Sequence, residues 1–426
     1  VATAIREVVV IGAGLAGLTA ALRLAGEGVQ VTVIEREDEV GGRQRSRVID
    51  GFTLDRGFQL LNPGYPEAQR FLDLPALDLH PFDPGLLVKG MPEEPMSKLV
   101  NPFHNIRTLK NTLSGLAQQD LVTASGIAAV IKWLAPILTE KRDYPFPARR
   151  EDIALDEALE RAGFDQIAKD MMLVFFAGVL GESRGETSNN YARAMVKLFA
   201  AAAPALPGLG MGSIGKQLEH TARKLGVKFV FNTPVESLAP AETGPVTVRT
   251  AAETYQVDAV VLATGQEDVT DFWEVKTPGT RGLTTFWYAT SEELPREKLL
   301  AMDPHLRGPL VNSAVMSNVN PLYAPVGMSL VQGSALFDGQ HPAGEEEARK
   351  HLAFIWGVPK SSLELIARDD IAHALPTQLP GREPIEPFFH HGVALAGDWT
   401  HSGTINGAMV SGRLAAEAML SRFGSQ

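Results

Sequence analysis

Gly12, Gly14 and Gly17 stand at the spacing G-x-G-x-x-G directly after the β-branched run Val8-Val9-Val10-Ile11. Glu35 follows 18 residues beyond Gly17, at the end of a second apolar run, Val29 to Ile34. Each of these residue types suits one part of dinucleotide binding. Gly12 permits a tight turn out of a strand. Gly14 has no Cβ to hold a pyrophosphate off the backbone, and Gly17 lets the following helix pack closely on a sheet. The N-terminus of the helix that follows offers unpaired N–H groups and a partial positive charge to phosphate oxygens, which makes Leu15 and Ala16 binding candidates. Glu35, with Arg36 beside it, can accept hydrogen bonds from both ribose hydroxyls, and its charge repels a 2′-phosphate.

The elements needed to position these groups surround them. Val8 to Ile11 has the character of a buried parallel strand, Leu18 to Ala25 that of a helix of small and apolar residues, and Val29 to Ile34 that of a second strand. A second match to the glycine spacing, Gly210-Met211-Gly212-Ser213-Ile214-Gly215, lacks this setting. Ala200 to Pro207 before it contains two prolines, which no buried strand tolerates. The helix Lys216 to Leu225 and strand Lys228 to Phe231 after it lead to Asn232-Thr233, with no acid. This segment reads as a tight turn that starts a helix near the first site.

Further blocks extend the pattern. Gly41-Gly42-Arg43 begins six residues beyond Glu35 and is followed by Ser46, Gly51, Asp55 and Gly57. The glycine pair allows a second close backbone approach, and the Arg43 fork can neutralise a pyrophosphate. Asp258 to Gly265 is a strand-like run ending in Ala263-Thr264-Gly265. Towards the end come Gly392 to Ala396, Gly397-Asp398, Gly403-Thr404-Ile405-Asn406-Gly407-Ala408 and Ser411-Gly412.

This set resembles the flavin-dependent amine oxidase and phytoene desaturase superfamily, which also includes protoporphyrinogen oxidases. It is dense in residues 8–66, 208–265 and 392–420. The resemblance implies a non-covalently bound FAD. It implies that Gly397-Asp398 meets the pyrophosphate and ribityl chain. The helix carrying Ile405, Asn406 and Ala408 in its first turns would point its N-terminus at the flavin ring, where its dipole favours negative charge on reduced flavin. It also implies a backbone contact from Pro234-Val235 to adenine, with Ala263-Thr264-Gly265 closing back onto the nucleotide. The segment Asp55-Arg56-Gly57-Phe58-Gln59 would then pass along the isoalloxazine.

The expected fold class is α/β. A discontinuous Rossmann-type FAD-binding domain is expected from residues 1–79, 206–275 and 386–426. A mixed α+β substrate domain with a helical cap is expected from 80–205 and 276–385. Helical patterns cover Ser114 to Ala135, Ile153 to Arg161 and Glu345 to Ile355, and strand-like runs cover Gly282 to Ala289 and Met328 to Phe337. Phe175, Phe176, Trp287, Tyr288 and Trp356 are candidates to line an apolar pocket, against ordinary core packing for each.

Composition narrows the function. The 50 acidic residues against 39 basic ones give a net charge of −11, which repels phosphate backbones and argues against a nucleic-acid partner. The absence of cysteine excludes disulfides, Cys-ligated zinc, iron–sulfur clusters, a Cys nucleophile and a thioether-tethered cofactor. His390-His391 belongs to no metal-binding spacing, and no metal is expected. No signal-peptide layout and no apolar run of membrane-spanning length occur, so the expectation is a cytoplasmic monomer or homodimer, with peripheral membrane contact left open.

The expected activity is oxidation of a hydrophobic small molecule, by C–C desaturation or C–N oxidation, through hydride transfer to flavin N5. Oxygen or a quinone would be the electron acceptor. Amine oxidases of the superfamily often carry an aromatic residue where this chain has Thr404, and the departure favours a desaturase-like member. Amine oxidase proper, redox-neutral flavin isomerase and non-catalytic FAD binder remain the alternatives. No catalytic side chain is assigned, and His401 is expected to be a structural hydrogen-bonder.

Overall fold

Val8, Val9, Val10 and Ile11 are all buried because their strand, Glu7–Ile11, lies inside a six-stranded sheet with both faces covered. The computed structural model describes residues 6–91, 93–100, 123–139 and 151–423. The order across this sheet is Phe389–His390, Val393–Leu395, Ala259–Leu262, Glu7–Ile11, Gln30–Ile34 and Lys228–Val230. All neighbours are parallel except the edge hairpin formed by the first two. Glu7–Ile11 pairs on one side with the next strand in the chain and on the other with a strand some 250 residues later. Its carboxyl end is therefore a topological switch point, the place where open α/β sheets leave a crevice.

Alternation along the strand decides what covers each face. Val8 and Val10 join the core beneath three helices, Leu15–Ala25, Gly212–Lys224 and Ile405–Phe423. Val9 and Ile11 join a second core beneath a three-stranded antiparallel meander, Val235–Ala239, Val246–Thr250 and Thr254–Val257. The helices Leu15–Ala25 and Ile405–Phe423 approach at Gly412, where a Cβ would overlap the carbonyl oxygen of Ala16.

A second sheet has seven strands in the order Glu364–Pro376, Thr280–Thr290, Ser329–Phe337, Leu310–Val315, Leu300–Met302, Gly85–Val88 and Ser97–Val100. The expected helix near Glu345 spans Glu345–Trp356 and covers the face that carries Phe286 and Tyr288. Trp287 and Ala289 face the other way, onto the hairpin Ser46–Ile49 and Phe52–Asp55. Four helices, Ala124–Thr139, Leu155–Ala162, Gln166–Leu180 and Asn189–Ala201, form a separate layer. Trp133 is the centre of that layer, bonding Asn189 Oδ1 at 2.8 Å through its indole N–H. The part of the expected Ser114 to Ala135 helix before residue 123 lies outside the described residues. Among the described residues no helix is long and apolar enough to cross a membrane.

Gly412→Val should drive the first and last helices apart. We expect a loss of at least about 2 kcal/mol in urea denaturation, from overpacking against an immovable backbone carbonyl. An unchanged midpoint would show that the two helices are not held at this distance.

Candidate active site

The turn after Ile11 is shaped by what surrounds each glycine. Gly12 has φ +102°, and a Cβ there would lie 2.7 Å from Ala263 O. A Cβ on Gly17 would overlap Gly12 O. Gly14 differs: a Cβ there would meet no protein atom within 4 Å. The space above Gly14 is thus open at the N-terminus of the helix Leu15–Ala25, where the first N–H groups, at Leu15 and Ala16, have no intrahelical acceptor. Gly41 donates its N–H to Ala13 O at 2.9 Å, and Gly42 packs its backbone on Gly14. The second glycine turn, at Gly41-Gly42, therefore shares one wall with the first.

Glu35 sits at the end of the neighbouring strand and is buried. One carboxylate oxygen accepts from Ala13 N at 2.6 Å and the other from Glu37 N at 3.0 Å. The two bonds fix its orientation beside the glycine turn and leave lone pairs for further donors. Backbone bonds from Asn232 N to Glu37 O and from Thr233 N to Glu35 O bring Pro234-Val235 to the same place. Arg36 points elsewhere: it is exposed and pairs with Asp268 at 2.9 Å. Ala263 continues the Ala259–Leu262 strand through its bond to Ile11 O, and Gly265 caps the short helix Gln266–Val269. Between them the Thr264 hydroxyl is buried with no hydrogen-bond partner among the described residues.

Arg43 and Asp398, 355 residues apart, meet in an ion pair of 2.6 Å. Arg43 gives a second bond to Ala374 O at 2.6 Å, tying the glycine turn to the edge strand of the seven-stranded sheet. Its guanidinium is thus shared between a carboxylate and a carbonyl in this arrangement, rather than held open as a free fork. Gly397 N is anchored by Ser411 Oγ at 2.9 Å. Ile405 opens the last helix, its first N–H groups also without intrahelical acceptors. The Asn406 side chain turns back to accept from Glu67 N at 3.0 Å, and Ala408 N bonds Thr404 O. Thr404 Oγ1 accepts from Gly407 N at 2.9 Å, acting as a cap for this helix. His401 is buried near Arg382 and Arg413, and desolvation with those two charges pushes its imidazole down to about 4, so it is neutral at physiological pH.

The segment after the hairpin crosses between the layers. Gly57 has φ +75° and packs on Ile371; Phe58 N donates to Thr285 Oγ1 at 3.2 Å. Gln59 holds Arg43 O at 2.6 Å and Arg56 O at 2.8 Å through its amide. The start of this segment is pinned by Asp55, which is fully buried and accepts from Ser46 Oγ at 2.6 Å, Met211 N at 2.8 Å and the Tyr323 hydroxyl at 2.8 Å. Ser46 Oγ in turn accepts from Gly212 N. The second glycine motif is therefore a docking turn: Gly210 lies against Ser46, and the helix Gly212–Lys224 aims its N-terminus at the Ser46–Asp55 pair.

Sequence reasoning missed several groups. Asp369 accepts from Arg47 at 2.8 Å and from the Trp287 indole at 2.9 Å beside Gly57, yet it stands in an unpatterned stretch. Arg382, whose guanidinium donates to Thr377 O and Trp399 O, carries no motif either. The five aromatic candidates divide. Tyr288 and Trp356 are core residues beneath Glu345–Trp356, bonded to Glu345 O and Ser313 Oγ. Phe176 is packed against Trp133 inside the helical layer, with Phe175 on its edge. Trp287 is buried too, although its indole reaches Asp369.

Comparison with known proteins gives a consistent picture. The family model for flavin containing amine oxidoreductase matches residues 15–272 and 368–420. A putrescine oxidase from Kocuria rosea is 28% identical over 284 residues, covering 61% of this chain and 56% of that protein. A phytoene dehydrogenase from Streptomyces griseus is 59% identical over 51 residues, which is 12% of this chain and 10% of that one. The chain thus spans little more than half of the first of these curated relatives and a tenth of the second. Among solved structures, an oxidoreductase from Methanosarcina mazei aligns with a TM-score of 0.73 at 18% identity, covering 96% of this chain and 100% of that one. A fatty acid isomerase from P. acnes aligns with a TM-score of 0.68 at 16% identity, covering 96% of this chain and 98% of that one. At such identities the likeness is one of fold.

Two predictions follow from the geometry. Gly14→Val should fold as well as the parent when both are compared without ligand, since its side chain enters open space, whereas Gly17→Val should fold poorly. Thermal melts of the two variants check this, and equal damage at both positions would refute the assignment of space. The second concerns Asp55. Burial, with Asp369 adding repulsion, outweighs its three hydrogen bonds and raises its carboxyl from an ordinary 3.8 to about 6. A folded-state value above the unfolded one means that this group's contribution to stability falls as pH rises from about 4 to about 6. Tyr323→Phe removes a donor that favours the ionised form. It should cost about 1–3 kcal/mol at pH 8 and less at pH 5. The same loss at both pH values would sink the idea that Tyr323 serves a charged Asp55.

Proposed function

Since this chain belongs to the flavin-containing amine oxidoreductase family, we propose that it is an FAD-dependent oxidoreductase that removes a hydride from a carbon of a hydrophobic small molecule. FAD is the cofactor the family implies. The observation that carries this reading is the contrast among the glycines: the space at Gly14 is open at a helix N-terminus, while Gly12 and Gly17 are enclosed. The buried, unpartnered hydroxyl of Thr264 at the adjacent strand end is a second fit to a polar ligand. When bound, FAD would supply the two-electron acceptor for a hydride, with oxygen or a quinone as the final acceptor.

The chain's own residues would bind and orient it. The N–H groups at Leu15 and Ala16 and the Gly41-Gly42 backbone would face the pyrophosphate, with the Arg43–Asp398 pair at its side. Glu35, fixed by two backbone bonds, would receive the ribose hydroxyls, and Pro234-Val235 would border the adenine. The first turn of Ile405–Phe423 would stabilise negative charge on the ring. Residues 1–79, 206–275 and 386–426 form the cofactor-binding part of this reading, and 80–205 with 276–385 the substrate-binding part.

Thr404 supports C–C oxidation over amine oxidation, because its hydroxyl is used as a helix cap and it offers no aromatic wall. The 28% identity to a putrescine oxidase favours the second reading, C–N oxidation. An absorbance spectrum of the purified chain, before and after acid or heat release, tests the cofactor. Bands near about 370 and 450 nm with free FAD in the supernatant are expected. Anaerobic bleaching by polyenes rather than by primary amines would support C–C oxidation, and the reverse would favour C–N oxidation. A colourless protein that does not take up FAD would overturn the proposal.

A further inference from the structure

One face of the seven-stranded sheet carries neutral polar side chains deep in an apolar setting. Thr285, Ser334 and Gln332 are buried on the side that also presents Trp287, Ala314 and Leu330. Asn312 reaches the same face because the pairing with Ser329–Phe337 shifts register between Leu310 and Asn312, while Leu310 joins the opposite core. A hydroxyl or amide placed there is destabilising unless it is bonded.

These groups are bonded to one another, and in one direction. The backbone N of Phe58 donates to Thr285 Oγ1 at 3.2 Å. Thr285 Oγ1 lies 3.1 Å from Ser334 Oγ. Ser334 Oγ donates to Gln332 Oε1 at 3.1 Å, and Gln332 Nε2 donates to Asn312 Oδ1 at 3.1 Å. A hydroxyl has a single proton. Ser334 gives its own to Gln332, so Thr285 must donate to Ser334. Turning both amides over would leave the Thr285 proton with no acceptor in the run. The N–H of Phe58, which can only donate, therefore sets the sense of the whole run.

The run joins two distant parts of the molecule. At one end is Gly57-Phe58, whose other N–H, at Gly57, points to Asp369 Oδ2 at 3.4 Å. At the other end Asn312 Nδ2 sits on Gly178, inside the helix Gln166–Leu180, where a Cβ would lie 2.4 Å from that nitrogen. Glycine is a poor residue inside a helix, and the close seat of Asn312 accounts for it here.

We propose that Thr285, Ser334, Gln332 and Asn312 are positioning residues that work as one unit: they hold the main chain at Phe58 and make its place depend on how the helix Gln166–Leu180 is seated at Gly178. The inference rests on the FAD reading above for its consequence, since on that reading Gly57-Phe58-Gln59 borders the flavin ring. A change of seat at Gly178 would then be felt at the ring through four uncharged side chains.

The test uses the purified full chain. Urea denaturation needs no flavin and reads the unit itself, so a failure of the cofactor reading and a failure of this one are separate results. Thr285→Val and Asn312→Leu should each lower the folding equilibrium constant by about tenfold. The double variant should fall well short of the roughly hundredfold loss that independent sites would give. FAD content is then read from the spectrum, and a colourless parent would count against the cofactor reading alone. With flavin bound, Thr285→Val, Gln332→Leu and Gly178→Ala should change the visible circular dichroism of the flavin in the same way and weaken FAD binding by about tenfold. Thr285→Ser, which keeps the hydroxyl, should match the parent. Thermal melts establish that each variant is folded; if Gly178→Ala is not, Asn312→Leu, which alters the same seat, takes its place. Additive losses in urea, or a flavin signal unchanged in folded Gln332→Leu and Gly178→Ala, would overturn the proposal.

Discussion

The molecule depends on the close approach of several backbones to one turn. Gly17 leaves no room for a side chain against Gly12, Gly42 rests on Gly14, and Gly412 rests on Ala16. Two segments distant in sequence, around Gly42 and Gly412, thus converge on residues 12–17. A Cβ on Gly14, by contrast, would meet nothing within 4 Å. Packing of this kind is intolerant of added atoms, since the neighbouring atoms are main-chain carbonyls and α-carbons that cannot rotate away.

The two sheets are coupled through polar groups as well as apolar ones. Asp55 receives Tyr323 from the seven-stranded side and Met211 N from the helix layer of the other sheet. Arg43 joins Asp398 to Ala374 O, and Asp369 collects Arg47 and Trp287. All three carboxylates are largely buried, so their value lies in being satisfied from both sides at once; removal of one partner leaves a charge in a poor solvent. The segment Gly57-Phe58-Gln59 runs between these fixed points, and its place is set by them.

Much of the six-stranded sheet was legible because its signals are local. A β-branched run, a turn that needs glycine and an acid after the next strand all fall within residues 8–35. The helix and strand after Gly210 were also readable, but the two prolines upstream did not exclude a buried strand: Ala205–Leu206 between them pairs with His80–Pro81 and is buried, a two-residue strand short enough to keep both prolines outside its ladder. The three-stranded meander on the opposite face was not foreseen: Val235–Ala239, Val246–Thr250 and Thr254–Val257 are short and flanked by turns, and nothing in them states which sheet they cover. Asp369, Arg382 and Gln332 stayed hidden for another reason. Their surroundings are made by residues that become neighbours only in the fold, and a lone polar residue in a strand or a loop carries no spacing to read. The aromatic candidates show the same limit, since alternation along Thr280–Thr290 sends Trp287 and Tyr288 to opposite faces.

The order of strands in the six-stranded sheet also has a consequence for synthesis. Glu7–Ile11 gains its second neighbour only when Ala259–Leu262 has been made, some 250 residues later. At about 5–20 residues per second, that is a delay of roughly 12–50 s. During this time an apolar strand with one unpaired edge is exposed to other chains, a pairing hazard that a long-range parallel topology cannot avoid. The helix that closes the sheet, Ile405–Phe423, comes later still. A nascent chain therefore carries its glycine turn for most of its synthesis without the walls that enclose it, and on the proposed reading cofactor capture would belong to the end of folding rather than to its nucleation.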